Sequence, residues 1–151
     1  MVNTRRARPE DAAAIEALYR QLVPGDTHIK VDPTRIAELA TNETNLLFVV
    51  EAEGDVRGTA FVTICLDAMY RFTPYAVLEN IVIADSERGA GLGRALVAAV
   101  EAAARAAKCT KIMLLSGAAR TDAHRFFTKL GFDGERKRGF IKYLNRTKPL
   151  G

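Results

Sequence analysis

The apolar positions of this chain fall into two periods, and the switches between them mark out its elements. Val2 to Ala7 alternates weakly and predicts a first strand. At Pro9-Glu10-Asp11 the period changes, because proline suits the first turn of a helix and the two acids suit its positive end. Ala12, Ile15, Ala17, Leu18 and Leu22 form one stripe, which Pro24-Gly25-Asp26 ends. A shorter helix begins at Asp32-Pro33 and carries Ile36, Leu39 and Ala40 before the polar run from Thr41 to Asn45. Leu46 to Ala52 and Val56 to Leu66 read as strands of a hairpin turned at Glu53-Gly54-Asp55, and Asp67 to Pro74 reads as a loop.

The second half repeats the alternation of strand and helix. Leu78 to Ala84 is a short, largely β-branched run that predicts a central strand. Arg88-Gly89-Ala90-Gly91-Leu92-Gly93 follows, and from Leu92 the apolar positions 92, 95, 96, 99, 100 and 103 have helical spacing. Lys111 to Ser116 predicts another strand. Thr121 is placed to cap a helix running to Leu130, with Phe126 and Leu130 on its core side, and Gly131 is placed to end it. Phe132 opens an extended segment, and Arg138 to Leu144 predicts a last strand. The order β-α-α-β-β-β-α-β-α-β-β, without repeats or a linker, predicts one α+β domain over residues 1–151.

Composition narrows the function classes. The 151 residues are 48% hydrophobic, enough for a real core and against disorder. No apolar run approaches the ~20 residues of a membrane helix, and the polar opening Met1 to Arg6 predicts no signal peptide, so the expectation is a cytoplasmic protein with no membrane partner. Cys65 and Cys109 lack motif spacing and read as reduced thiols, and nothing points to a metal site. The net charge is +4, with Arg136, Lys137, Arg138, Lys142, Arg146 and Lys148 near the end. No aromatic–basic interleaving accompanies them, so nucleic acid is not the expected partner.

The Gly-rich turn carries the chemistry. Its glycines let backbone approach a ligand closely, and the first N–H groups of the following helix lack partners and sit at its positive end. Arg88 and Arg94 flank the turn. A pyrophosphate satisfies all three features. The spacing is not the dinucleotide pattern, since Arg94 stands where a third glycine is needed, and no G-K-[ST] follows as in a P-loop.

The run R-G-A-G-L-G after Ile83 resembles the acetyl-CoA signature [QR]-x-x-G-x-[GA] of the GNAT N-acetyltransferase family, and D122-A-H-R-F-F-T-K-L-G-F132 resembles the family's A-x-x-[FL]-Y-x-x-x-G-F helix. The element order is similar from end to end. The resemblance implies the GNAT acyl-CoA N-acyltransferase fold: a central, mostly antiparallel mixed sheet of about six or seven strands flanked by about four helices. It implies an N-acetyltransferase that moves acetyl from acetyl-CoA to a primary amine of a small molecule, by direct attack in a ternary complex. A homodimer is compatible with it. By the same resemblance Ile81, Val82 and Ile83 would offer backbone groups to the pantetheine arm and the carbonyl. Arg88, Gly89, Ala90, Gly91, Leu92, Gly93 and Arg94 would hold the pyrophosphate, with Ser116 and Phe127 beside the coenzyme. Strands 78–84 and 111–116 would splay apart to admit the arm.

Two positions set the catalytic question. Glu79, which by strand alternation shares a face with Ile81 and Ile83, is the candidate base, and a structural ion pair is the competing role. Phe127 stands where the family usually has the tyrosine that protonates the leaving thiolate. The thiolate then leaves unassisted, another group such as His124 or Ser116 serves, or the protein binds coenzyme A and catalyses poorly. A catalytically weak coenzyme A sensor and an acetyltransferase of a protein amine are the alternative functions. Residues 19–35 and 67–75, with Arg20, His28, Lys30, Arg35, Tyr70 and Arg71, are the expected acceptor lining.

Overall fold

A computed structural model of the chain describes residues 1–145 in two compact units, Met1–Leu114 and the segment that begins at Leu115. In the first unit β1 (Val2–Arg6) leads through a short 3₁₀ turn at Pro9–Asp11 into α1 (Ala12–Leu22) and α2 (Pro33–Ala40). The strands β2 (Asn45–Ala52), β3 (Asp55–Cys65) and β4 (Tyr75–Ile83) follow, then α3 (Leu92–Ala106) and β5 (Ile112–Leu114). The five strands form one mixed sheet in sequence order, antiparallel up to β4 and parallel between β4 and β5.

Alternation along the strands sorts the core into two layers. Leu46 and Val50 of β2, Ala60 and Val62 of β3 and Leu78 of β4 pack with Leu92, Leu96 and Val100 of α3. Leu47 and Val49, one residue out of phase, pack on the opposite face with Ile15 of α1 and Ile36 of α2. Local chemistry fixes the joints. Asp32 caps α2 by accepting the Thr34 N–H at 2.8 Å, with Pro33 as its first residue. Glu53 and Gly54 both take positive φ (52° and 84°), as a two-residue hairpin whose twist matches its strands requires. Gly58 lies where a Cβ would come within 2.5 Å of Ile83 Cδ1 and 3.0 Å of the Val82 carbonyl, so only glycine allows β3 and β4 to approach there.

The second unit holds α4 (Thr121–Lys129). Gly131, at φ 94°, ends it as expected, and the Phe132 N–H returns to the Phe127 carbonyl at 3.0 Å. Thr121 does not cap it: the N-cap is Arg120, and no side chain makes the capping bond. Phe127 is buried, whereas Phe126 and Leu130 are half-buried, so the core side of α4 is centred one residue away from the expected pair.

Four expected boundaries change. The sheet has five strands where about six or seven were expected. β4 starts at Tyr75 because Tyr75 to Val77 find partners in Cys65 to Thr63. The strand expected over 111–116 contracts to Ile112–Leu114. Residues 138–144 enter no ladder among the described residues, and Phe140, Ile141 and Leu144 are exposed. Their apolar positions 140, 141, 143 and 144 do not alternate, so they offer no single face to a sheet, and Gly139 adds backbone entropy. Arg146 and Lys148 of the basic tail lie outside the described residues.

Candidate active site

β4 is regular only as far as Glu79. Phe61 of β3 pairs with Glu79, and Thr59 pairs with Val82, so two residue steps of β3 span three of β4. The extra residue is a β-bulge in which Asn80 adopts φ 53°, a left-handed conformation that asparagine tolerates better than most residues. The bulge changes which amides face which edge. Before it, the Ala76 N–H donates to the Lys111 carbonyl of the β5 side at 2.9 Å. After it, the Ala84 N–H donates to the Arg57 carbonyl of the β3 side at 2.7 Å. Alternation back from Ala84 turns Val82 towards β3 and turns the N–H groups of Ile81 and Ile83 to the opposite edge.

That edge is free. The parallel pairing of β4 with β5 ends at Leu78 with Leu114, and residues 79–83 have no ladder partner on that side among the described residues. The bulge also corrects the expected placement of Glu79. Ile81 and Ile83 pack with the α3 layer, whereas Glu79 lies opposite Phe61, which packs in the α1–α2 layer. Glu79 is exposed and forms no ion pair among the described residues, so the expected structural partner does not appear.

Beyond β4 the chain makes a 3₁₀ turn at Asp85–Glu87 and reaches the glycines. Gly89 and Gly91 have φ of 84° and 83°, with open space where a Cβ would stand, so conformation and not crowding selects glycine. Gly91 is the N-cap of α3 and supplies no side-chain acceptor. Between Arg88 and Arg94 only the Ala90 N–H is engaged, with the Glu87 carbonyl at 3.3 Å. The amides of Arg88, Gly89, Gly91, Leu92, Gly93 and Arg94 have no acceptor among the described residues. These unclaimed amides lie at the positive end of a 15-residue helix, an arrangement suited to an anion. Arg94 is exposed and without an ion-pair partner among the described residues, while Arg88 pairs with Asp85 at 3.0 Å. The turn is anchored by Gln21 of α1, whose side-chain carbonyl accepts the Asp85 N–H.

On the α1–α2 face a cleft of about 420 Å³ reaches Asn80. Tyr19, Leu39 and Phe61 are among its walls, and burial pushes the Tyr19 hydroxyl up to about 12. Arg35 lines it, as expected, paired with Glu38 at 3.0 Å. Arg20, His28 and Lys30 do not. Arg20 donates to the Ile29 carbonyl and pairs with Glu16, Lys30 also pairs with Glu16, and His28 sits beside Asp26. Tyr70 and Arg71 are exposed in the β3–β4 loop. Tyr19 falls at the edge of the expected 19–35 lining, whereas sequence reasoning missed Asn80 and the tie that Gln21 makes to Asp85. A polar Glu-Asn pair inside an apolar strand was the signal for Asn80; Gln21 had none.

In the second unit the Ser116 hydroxyl is buried without a hydrogen-bond partner among the described residues. The Phe127 ring packs edge-on against Phe126 and Phe132, at 5.3 and 5.8 Å. His124 Nε2 lies 2.9 Å from the Gly117 carbonyl and donates its proton there, which gives it a structural role in the preceding loop. No group of three or more His, Cys, Asp or Glu suited to a metal occurs among the described residues, and no helix among them is long and apolar enough to cross a membrane.

The model of the Acetyltransferase (GNAT) family matches residues 12–132. An aminoglycoside N(6')-acetyltransferase type 1 of Stenotrophomonas maltophilia is 31% identical over 85% of this chain and 84% of its own length. A solved structure of a putative acetyltransferase from Agrobacterium tumefaciens str. C58 superposes with a TM-score of 0.85 at 30% identity, covering 94% of this chain and 99% of that one. The aminoglycoside acetyltransferase AAC(6')-Iy, solved with a coenzyme A bisubstrate analogue, shares the fold at 22% identity and a TM-score of 0.77, covering 96% of this chain and 99% of its own.

Proposed function

The chain belongs to the GNAT acetyltransferase family, whose members are acetyl-CoA-dependent N-acetyltransferases, and from that premise we propose that it acetylates a primary amine of a small molecule by direct attack in a ternary complex. The observation that carries the reading is the set of unclaimed amides between Arg88 and Arg94, which residues 84–87 join to a strand edge with no ladder partner among the described residues. The first set suits the pyrophosphate of coenzyme A, with Arg94 adding charge. The edge of β4 suits the pantetheine arm, which carries amides able to pair like a strand. The N–H groups of Ile81 and Ile83 are the donors for the thioester carbonyl, strengthening as its oxygen gains charge in the transition state.

Glu79 is the base of this reading. An amine of lysine-like pKa is neutral only about one part in 2,500 at pH 7, so a group that removes its proton lowers the barrier. The Glu79 carboxylate is unpaired and faces the α1–α2 side, while the edge amides of Ile81 and Ile83 lie past the bulge. The bulge therefore separates the two tasks: amine activation on one face, carbonyl polarisation along the edge. The thiolate, with an ordinary pKa near ~8.5, is a tolerable leaving group without a tyrosine acid.

The test is direct. Calorimetry with coenzyme A should give a saturable heat, and mixing with acetyl-CoA and a panel of small amines, an aminoglycoside included, should release thiol in proportion to acetylated amine. No heat with coenzyme A overturns the cradle. A second reading, a catalytically weak coenzyme A binder, is favoured by Phe127 alone and predicts tight binding with no amine turned over.

A further inference from the structure

Resting on that reading, we propose that the cleft on the α1–α2 face selects an amine with a single ammonium and an uncharged, hydroxyl-bearing body, and that the Asn80 carboxamide is its specificity-determining contact. The charge of the cleft is the first reason. Glu38 is the one carboxylate among its lining residues, and it is already paired with Arg35 at 3.0 Å. Next to Asn80, Glu79 is the one unpaired carboxylate among the described residues, so a polycation would bring several ammonium groups to a single free anion, and an anionic acceptor would compete with Glu38 for the only lining guanidinium.

The second reason is what the cleft leaves unused. The Asn80 carboxamide and the Tyr19 hydroxyl have no hydrogen-bond partner among the described residues, and both residues line the cleft. Asn42 uses its carbonyl oxygen to accept the N–H groups of Thr44 and Asn45 at 2.9 and 2.7 Å, which leaves its NH₂ as a free donor. These are neutral donors and acceptors, the complement of hydroxyl groups. Phe61, Leu39 and Leu47 supply apolar surface for the C–H face of such a body. Asn80 is adjacent to Glu79 in the chain, so a body held at Asn80 brings its one amine towards the base.

The experiment separates side chain from backbone. Glycine adopts the positive φ of position 80 freely, so Asn80→Gly keeps the bulge and removes the carboxamide. D-glucosamine, spermidine, kanamycin and L-glutamate serve as acceptors, with thiol release as readout. The wild-type kcat/KM for D-glucosamine should exceed that for the other three by about tenfold or more. In the glycine variant KM for D-glucosamine should rise by about tenfold, while the melting temperature and coenzyme A affinity measured by calorimetry stay at wild-type values. Preference for spermidine, kanamycin or glutamate, or an unchanged KM in the variant, overturns the inference and leaves the acetyltransferase reading standing. Weakened coenzyme A binding in the variant also overturns it, because the residue would then act through the bulge. No turnover of these four acceptors while another amine of the panel is acetylated removes the inference alone; coenzyme A binding with no amine turned over, or no coenzyme A binding, removes both.

Discussion

Gln21 and Asp85, 64 residues apart in the chain, are joined by a hydrogen bond of 2.9 Å in which the Asp85 N–H donates to Gln21 Oε1. The bond links the C-terminal turn of α1 to the 3₁₀ turn that precedes the glycines, and Asp85 in turn pairs through its side chain with Arg88. Gln21 thus positions a loop that α3 and β4 alone leave exposed. Gln21→Ala should cost about 1 kcal/mol of stability at most, because the bond is exposed. Coenzyme A affinity should fall about threefold to tenfold as the loop loses its tether. Calorimetry and thermal melts on the same samples check both, and an affinity equal to wild type would show that the tether does not organise the cradle.

The glycines make a sharper prediction. Gly91 has φ of 83° with nothing within 4 Å of where a Cβ would stand, so Gly91→Ala meets no clash and is strained only in its backbone. The expected loss is about 1–2 kcal/mol of stability. If the loop relaxes instead by leaving the left-handed region, the N–H groups at the start of α3 lose their common direction. Coenzyme A binding should then fall more steeply than stability does, and equal, small effects on both would argue against a built anion site.

Asp11 and Arg5 form the other consequential pair, away from the site. Arg5 donates to both Asp11 oxygens at 2.8 and 3.0 Å and reaches Glu51 as well. The hydrogen bond from Arg5 chiefly, helped by the Arg8 N–H against the cost of burial, holds the Asp11 carboxyl below its ordinary value. A depressed folded-state value means stability that is present above the unfolded value, near ~3.9, and lost as pH falls through the folded one. Asp11→Asn should therefore destabilise the protein by about 2–3 kcal/mol at neutral pH. The gap between variant and wild type should close as the pH drops below about 4. Urea unfolding across pH reads it out, and a gap independent of pH would assign the loss to packing.

Much of this fold was legible in the sequence because its elements are amphipathic and locally punctuated. The stripe of α1, the Asp32-Pro33 start of α2, the Glu53-Gly54 turn and the spacing from Leu92 each carry their own signal. The Gly-rich turn was legible as the start of a helix because the glycines precede the periodic run from Leu92, and most of its amides have no acceptor among the described residues. What failed depends on neighbours. Alternation placed Glu79 with Ile81 and Ile83, but the bulge at Asn80 reverses the phase, and a bulge is set by the pairing of two strands. Residues 138–144 looked like a strand by composition, yet lack the period that a sheet face demands. The tie from Gln21 is a long-range contact with no local trace.

Glu79 supports a prediction that distinguishes chemistry from surface charge. Glu79→Gln keeps the shape and hydrogen-bonding capacity but removes the carboxylate that the proposed reaction uses as its base. It should lower kcat/KM about a hundredfold at pH 7, with stability and coenzyme A affinity unchanged. The deficit should shrink as pH rises towards the acceptor's own pKa, because more of the amine then arrives neutral. A variant as active as wild type at pH 7 would reduce Glu79 to an exposed, unpaired carboxylate.

Phe127 decides between an enzyme that needs no acid and a weak one. Its ring is 7% exposed and meets Phe126 and Phe132 edge-on, so a hydroxyl added at its para position enters an apolar setting. Phe127→Tyr should cost about 1–2 kcal/mol of stability unless the new O–H finds an acceptor. General acid catalysis is worth about a hundredfold or more where the leaving group needs it. A thiolate of ordinary pKa needs little help, so kcat should rise by less than about tenfold. That outcome, from steady-state rates with the best amine of the panel, marks a chain already competent without the tyrosine. A gain of about a hundredfold would identify a coenzyme A binder that has lost its acid, and would transfer the weight of evidence to the second reading.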